Sequence, residues 1–409
     1  MANTHIDAYQ AIALVLQGGG ALGSYQAGAY NALWEADIHP TWLAGISIGA
    51  INAAIIAGNP ASRRMDRLQE FWDAITVEFG TPWPAAVRPP ESIRTSINTL
   101  SSLHALFLGQ PGFFEPKLPP PWLLLQVQGR SYYDTGPLRS TLERLIDFDR
   151  INAKEVRLSV GAVNLRTGNF TYFDNSAKKI GPEHIMASSA LPPGFPPVEI
   201  EGEFYWDGGV VSNTPLQYVL DFEPRMDTLV FQIDVWSARG PVPNTLGEVI
   251  ERQKDIGYSS RTRYNTDQVA RMQKLRNALS RFLAKLPESL AAEPEVEELR
   301  RYSCRAIMNI IHLIYDDKAY EIFSKDYEFS RASMREHWHA GYADTAETLA
   351  HPDWLAPPAR SVGIVTHDIH RYKQGRDAIR PTCQAPSAPR TMVTHDGARA
   401  TPSAKIDGA

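Results

Sequence analysis

The stretch LVLQGGGALGSYQAGAYNAL, residues 14–33, constrains the fold more than any other part of the chain. The run AIALVLQ that enters it is short and continuously apolar, the pattern of a strand buried on both faces. GSYQAGAYNALWEA leaves it with helical character, so Gly18, Gly19 and Gly20 occupy a tight strand-to-helix turn. The same unit then repeats. TWLAG reads as a second short strand, and SIGAINAAIIAG as a second helix, so poor in polar residues that it must be buried. Strands alternating with helices predict an α/β fold built on a parallel sheet.

Two chemistries fit the glycine turn. Gly18, Gly20 and Gly23 match G-x-G-x-x-G, a dinucleotide-binding fingerprint. Backbone N–H groups at such a turn can also hold an oxyanion. The nucleotide reading needs an acid at the end of the second strand, about 20 residues on, to bind a ribose hydroxyl. Glu35 and Asp37 fall in or just after the first helix instead, and the second strand ends in GISIG. Gly45, Ser47 and Gly49 there form G-x-S-x-G, the nucleophile elbow. Its turn is too tight for side chains two before and two after the serine, and the next helix points its N-terminus at the site. Parallel neighbouring strands bring both loops to one sheet edge, where the N–H groups of Gly19 and Gly20 can reach an oxyanion formed at Ser47.

A serine nucleophile needs a base. His184, His312, His337, His339, His367 and His370 follow Ser47, and none sits in a site-like turn at a strand end; His184 is the candidate nearest the site in chain order. Asp207 does sit there, after EFYW and before Gly208 and Gly209. The residues alone leave two readings of it open, a displayed catalytic carboxylate and an ordinary Asp-Gly turn.

Composition narrows the remaining classes. With 43% hydrophobic and 21% charged residues in 409, the chain is an ordinary globular protein with room for one large domain and appendages. A formal charge of −5 gives no global basic field, so no nucleic-acid partner is expected. Cys304 and Cys383 make neither a metal spacing nor a disulfide framework. MANTHIDAYQ lacks the features of a secretory signal, and no apolar run reaches the roughly 18 residues of a spanning helix. A cytoplasmic protein is expected, with any membrane contact peripheral.

Further along, residues 62–76 read as an amphipathic helix, and Pro137 opens another. Residues 80–130 read as a long proline-rich loop, in which Phe113, Phe114, Trp122 and Leu123 to Leu125 could form a mobile apolar cover. Two strands flank a turn at Thr167-Gly168-Asn169, and DTLVFQIDVW is the last clear buried strand. Beyond residue 240 the pattern turns helical. In 258–286, Val269, Met272, Leu275, Leu279, Phe282 and Leu286 keep a 3–4 spacing among seven Lys/Arg and one acid, Asp267. That stripe is expected to pack inward with its basic face solvated. Helices are also expected over 303–315 and 327–350.

GGGALG, GISIG and DGG, in that order, resemble the patatin-like phospholipases. MASSALPPGFPPV, and DGGVVSNTPL with Asn213 and Pro215, strengthen the resemblance, which covers residues 11–235. Residues 240–360 are similar to the helical C-terminal extension of some bacterial members. The resemblance implies a three-layer α/β/α fold with a mostly parallel central sheet. From it and the residue patterns above, the chain is expected to divide into a tail (1–10), a catalytic domain (11–235) with a variable lid (80–130), a helical extension (236–360) and a largely disordered tail (361–409). The resemblance also implies a Ser–Asp dyad without histidine: Ser47 as nucleophile, Asp207 as base, Gly18, Gly19 and Gly20 as oxyanion loop. Gly45 and Gly49 would shape the elbow, and Gly23, Gly208, Gly209 and Asn213 would support the site. The implied reaction cleaves an ester-linked acyl chain from a lipid through an acyl-serine, with no metal or cofactor. Leu22 departs from the pattern, since many members carry Arg or Lys there, and this leaves neutral esters open beside phospholipids. The rival classes are an NAD(P)-binding oxidoreductase and a catalytically silent lipid-binding protein.

Overall fold

A computed structural model describes residues 3–79, 90–117, 130–259, 262–316, 318 and 320–369. The chain begins with strand β1 (Ala11–Leu16), helix α1 (Gly23–Glu35), strand β2 (Trp42–Gly45) and helix α2 (Ile48–Ala57), the repeated unit expected from the sequence. Helices α3 (Arg64–Ala74), α4 (Glu91–Leu108) and α5 (Gly136–Leu145) follow, then strands β3 (Arg157–Asn164) and β4 (Phe170–Asp174), paired as a hairpin. Helix α6 (Pro182–Ser188), strands β5 (Val198–Ile200) and β6 (Glu203–Asp207), helix α7 (Leu216–Asp221) and strand β7 (Thr228–Asp234) come next. The last large elements are α8 (Leu246–Tyr258), α9 (Thr262–Leu283), β8 (Met308–Ile314), α10 (Arg331–Leu349) and β9 (Ile364–Asp368).

One nine-stranded sheet runs β9-β8-β7-β1-β2-β3-β6-β5, with β4 also paired to β3. The strands from β9 to β3 are all parallel, and β4, β5 and β6 make the antiparallel pairs. Alternation along β1 sorts its side chains between two cores. Leu14 and Leu16 join the larger core with residues of α1, α2, α3 and α10; Ala13 and Val15 join a smaller one with Leu216 of α7 and Ala270 of α9. The result is three layers, α/β/α. Every residue of α2 is buried, which explains its lack of polar side chains.

Four expectations change. Residues 308–314 form strand β8 and not a helix, and β7 pairs with it in parallel over its whole length. MNIIHLI is a short apolar run, and such runs suit a buried strand as well as a helix; the isoleucines favour the strand. Residues 364–368, expected in the disordered tail, form β9 on the edge of the same sheet, while 370–409 lie outside the described residues. The mainly helical extension therefore adds two strands, β8 and β9, to the same sheet. The 80–130 region contains the 18-residue helix α4; Phe113 and Phe114 after it are buried, and Trp122 and Leu123 to Leu125 lie outside the described residues. Finally, α9 turns three residues of its apolar stripe outward. Met272, Leu275 and Phe282 are 46%, 62% and 60% exposed, while Ala270, Gln273 and Asn277 face the sheet. Small Ala270 allows close approach, and the Gln273 amide donates to the otherwise unmet carbonyl of Ala306 at 2.7 Å.

Candidate active site

β1 and β2 end level with each other, Leu16 opposite Gly45, so the loops that leave them share one sheet edge. The second loop carries Ser47 at φ 56°, ψ −127°, a backbone strained for a residue with a Cβ. Gly49 lets α2 begin directly on the end of β1, where a Cβ would stand 2.4 Å from the Leu16 carbonyl oxygen. Gly45 backs onto Gly49 in the same turn, and Gly23 starts α1 against Ile48. The elbow is pinned from a third element. Ser47 N–H donates to Ser188 Oγ (3.1 Å), and that hydroxyl donates to the Gly161 carbonyl of β3 (2.7 Å).

Asp207 closes β6, paired opposite Ala162 of β3, and is buried. It does not sit in a hairpin turn: Gly208 opens a short 3₁₀ turn capped by Asp207, and the chain continues through Asn213 into α7. Oδ1 accepts the Gly209 N–H at 2.7 Å. The Ser47 hydroxyl lies near enough to the carboxyl to lower its pKa, but no donor is aligned on Oδ2. Alignment of that kind commonly completes only in the substrate complex. Burial outweighs both interactions and pushes the Asp207 pKa up to about 7.

The glycine loop forms the opposite wall. Gly18 N–H is committed to the Asn213 carbonyl (3.2 Å). Among the described residues no protein acceptor meets the N–H of Gly19, Gly20 or Ile48, and all three residues line the same cavity as Ser47. Gly20 takes φ +56°, and the Asp326 carbonyl oxygen would lie 2.0 Å from a Cβ there, so a segment far along the chain braces the loop.

Above these groups lies a cavity of about 300 Å³, walled by Leu106, Phe113, Phe114, Phe195 and Phe329. Its polar wall is Lys254, whose ammonium pairs with Asp326 at 2.5 Å, beside Tyr258. Among the described residues no histidine lines it. His184 instead accepts the Gly181 N–H through Nδ1 and meets the Phe173 ring edge-on, while His312 pairs with Asp234 and His337 with Glu321. Glu35, the acid of the nucleotide reading, bonds Tyr342. Leu22 is sealed in the core, so the position offers nothing to the cavity.

Sequence reasoning brought together Ser47, Asp207, the glycine loop and Asn213. It missed Ser188, Trp236, Lys254, Tyr258, Asp326 and Phe329. The last five lie beyond residue 235 and reach the cavity only through long-range packing, for which a single sequence carries no local signal.

No curated protein matches the chain. A solved structure, VipD from Legionella pneumophila, is similar at 16% identity over 83% of this chain and 67% of that one, with a TM-score of 0.36. A model described as patatin phospholipase matches residues 256–361, which include α9, β8, the Asp326 brace and α10. A model described as patatin-like phospholipase matches residues 14–220, half of the chain, spanning the glycine loop, the elbow and the Asp207 turn. With its motifs carried on that three-layer fold, the chain belongs to the patatin-like phospholipase family.

Proposed function

We propose that this lipid ester hydrolase works through a Ser47–Asp207 dyad and an acyl-serine intermediate. One observation carries the reading: a serine on a strained elbow stands beside a buried carboxyl held near pKa 7, at the floor of an apolar cavity. An ordinary aspartate, near 3.9, is a weak base for a hydroxyl; one near 7 combines basicity with ionisation at neutral pH.

In the first step Asp207 takes the hydroxyl proton as Ser47 Oγ bonds to the ester carbonyl carbon. The carbonyl oxygen becomes an oxyanion, held by the N–H groups of Gly19 and Gly20. Collapse breaks the bond to the leaving alcohol, which receives the proton from Asp207. Water then attacks the acyl-serine, again giving its proton to Asp207. The second collapse frees the fatty acid and returns the proton to Ser47. The aromatic wall suits an acyl chain. We place the substrate source at a membrane surface, because α4, which contributes Ala105 and Leu106 to the cavity, exposes Leu100, Leu103, Phe107 and Leu108.

The test is labelling with a fluorophosphonate probe, followed by hydrolysis of a medium-chain nitrophenyl ester. Parent protein should label on Ser47 and hydrolyse the ester; Ser47→Ala should lose both, and Asp207→Asn should lose at least 10²-fold in kcat. Retained hydrolysis in either variant would remove the dyad.

A further inference from the structure

Gly18 and Gly19 share one peptide unit, and its orientation decides which group the loop offers to substrate. The unit is trans, so the Gly18 carbonyl and the Gly19 N–H point in opposite directions. Two side-chain donors converge on that carbonyl: Asn213 Nδ2 at 2.8 Å and Trp236 Nε1 at 2.8 Å. Trp236 is itself held. Gln17 Oε1 accepts the backbone N–H groups of Val235 (2.8 Å) and Trp236 (3.0 Å), while the Lys325 ammonium stands 5.3 Å from the Trp236 ring. Gln17 immediately precedes the loop, so the loop and its clamp are tied together at both ends. On the other side of the peptide, the buried Gly19 N–H meets no protein acceptor among the described residues. A buried donor left unmet is costly unless something else accepts from it.

We infer that Trp236, with Asn213, is a positioning residue for the oxyanion hole: its indole N–H locks the Gly18 carbonyl outward and so aims the Gly19 N–H at the developing oxyanion. The inference rests on the dyad reading above. Without the lock the peptide can rotate, and its carbonyl oxygen then confronts the oxyanion where a donor should be. The effect belongs to the transition state, because the oxyanion carries its full charge only there.

The test compares parent and Trp236→Phe, which keeps a ring and removes the donor, in pH profiles of kcat and kcat/KM on a nitrophenyl ester. The expected result is a plateau kcat lowered about 10- to 100-fold, with KM and the acid limb near pH 7 unchanged. An undiminished plateau, or a fall that comes with a displaced acid limb, would overturn the lock, the latter by placing the damage at Ser47 and Asp207. Should thermal melts show Trp236→Phe unfolded, Asn213→Leu removes the other donor to the same carbonyl and is judged by the same two outcomes. Fluorophosphonate labelling of the parent separates the two claims. A parent that fails to label at Ser47 sinks the dyad; a parent that labels beside a variant of full plateau sinks only the lock.

Discussion

The carboxyl of Asp207 titrates near 7 because burial outweighs its contacts with Ser47 and the Gly209 N–H. As the proposed base it must be ionised, so kcat/KM on a soluble ester should rise with pH through a single limb near 7 and then level, as a pH profile will read. The same shift costs stability. The native state keeps a proton that the unfolded chain releases near 3.9, so stability present at low pH is lost as pH rises from about 4 through about 7. Asp207→Asn carries no such charge. Its stability advantage over the parent should open across that window and reach on the order of 4 kcal/mol above it, measured by urea unfolding at several pH values. A gap that stays constant with pH would contradict the burial argument. The turns at Ser47 and Asp207 were legible in the sequence because tight turns leave a local signature, small residues at fixed offsets; a role for Asp207 was not, and only the family resemblance implied one. The pKa was not, because the groups that bury Asp207 come from several distant elements.

At the scale of elements, two helices invert the usual arrangement. α8 turns Glu251, Lys254 and Asp255 toward Lys325 and Asp326, and exposes Leu246, Val249, Ile250 and Ile256. α4 lines the cavity on one side and exposes apolar side chains on another. Leu103→Asp combined with Phe107→Asp should therefore slow hydrolysis of phospholipid in vesicles by about tenfold or more, since each charge opposes burial in an apolar surface. Hydrolysis of a soluble short ester should stay within about twofold of parent, since neither side chain touches the reacting atoms. Equal losses on both substrates would instead assign these residues to the fold. Periodicity located α9 correctly but not the side it presents to the sheet, because a 3–4 spacing defines a stripe and not its partner. β8 was misread for a related reason, as seven mostly apolar residues hold no period that separates strand from helix.

The whole molecule is held by a sheet that ignores the boundary between its two family matches. β8 covers β7, and its Ile310, Ile311 and Leu313 are buried. At roughly 1.5–3 kcal/mol each, those three side chains amount to a large part of a typical domain's total stability of about 5–15 kcal/mol. A fragment of residues 1–240 retains Ser47, Asp207 and the glycine loop, yet it should aggregate on size-exclusion chromatography and fail to label with a fluorophosphonate. A monomeric, labelled fragment would show that the catalytic part stands alone. The contact between the Asp326 carbonyl and Gly20 adds a consequence in time. On the ribosome the glycine loop, Ser47 and Asp207 all emerge well before Asp326, which braces that loop. On the dyad proposed above, synthesis order makes competence for ester cleavage a late property of the nascent chain, and an interrupted product carries Ser47 and Asp207 beside an unbraced loop.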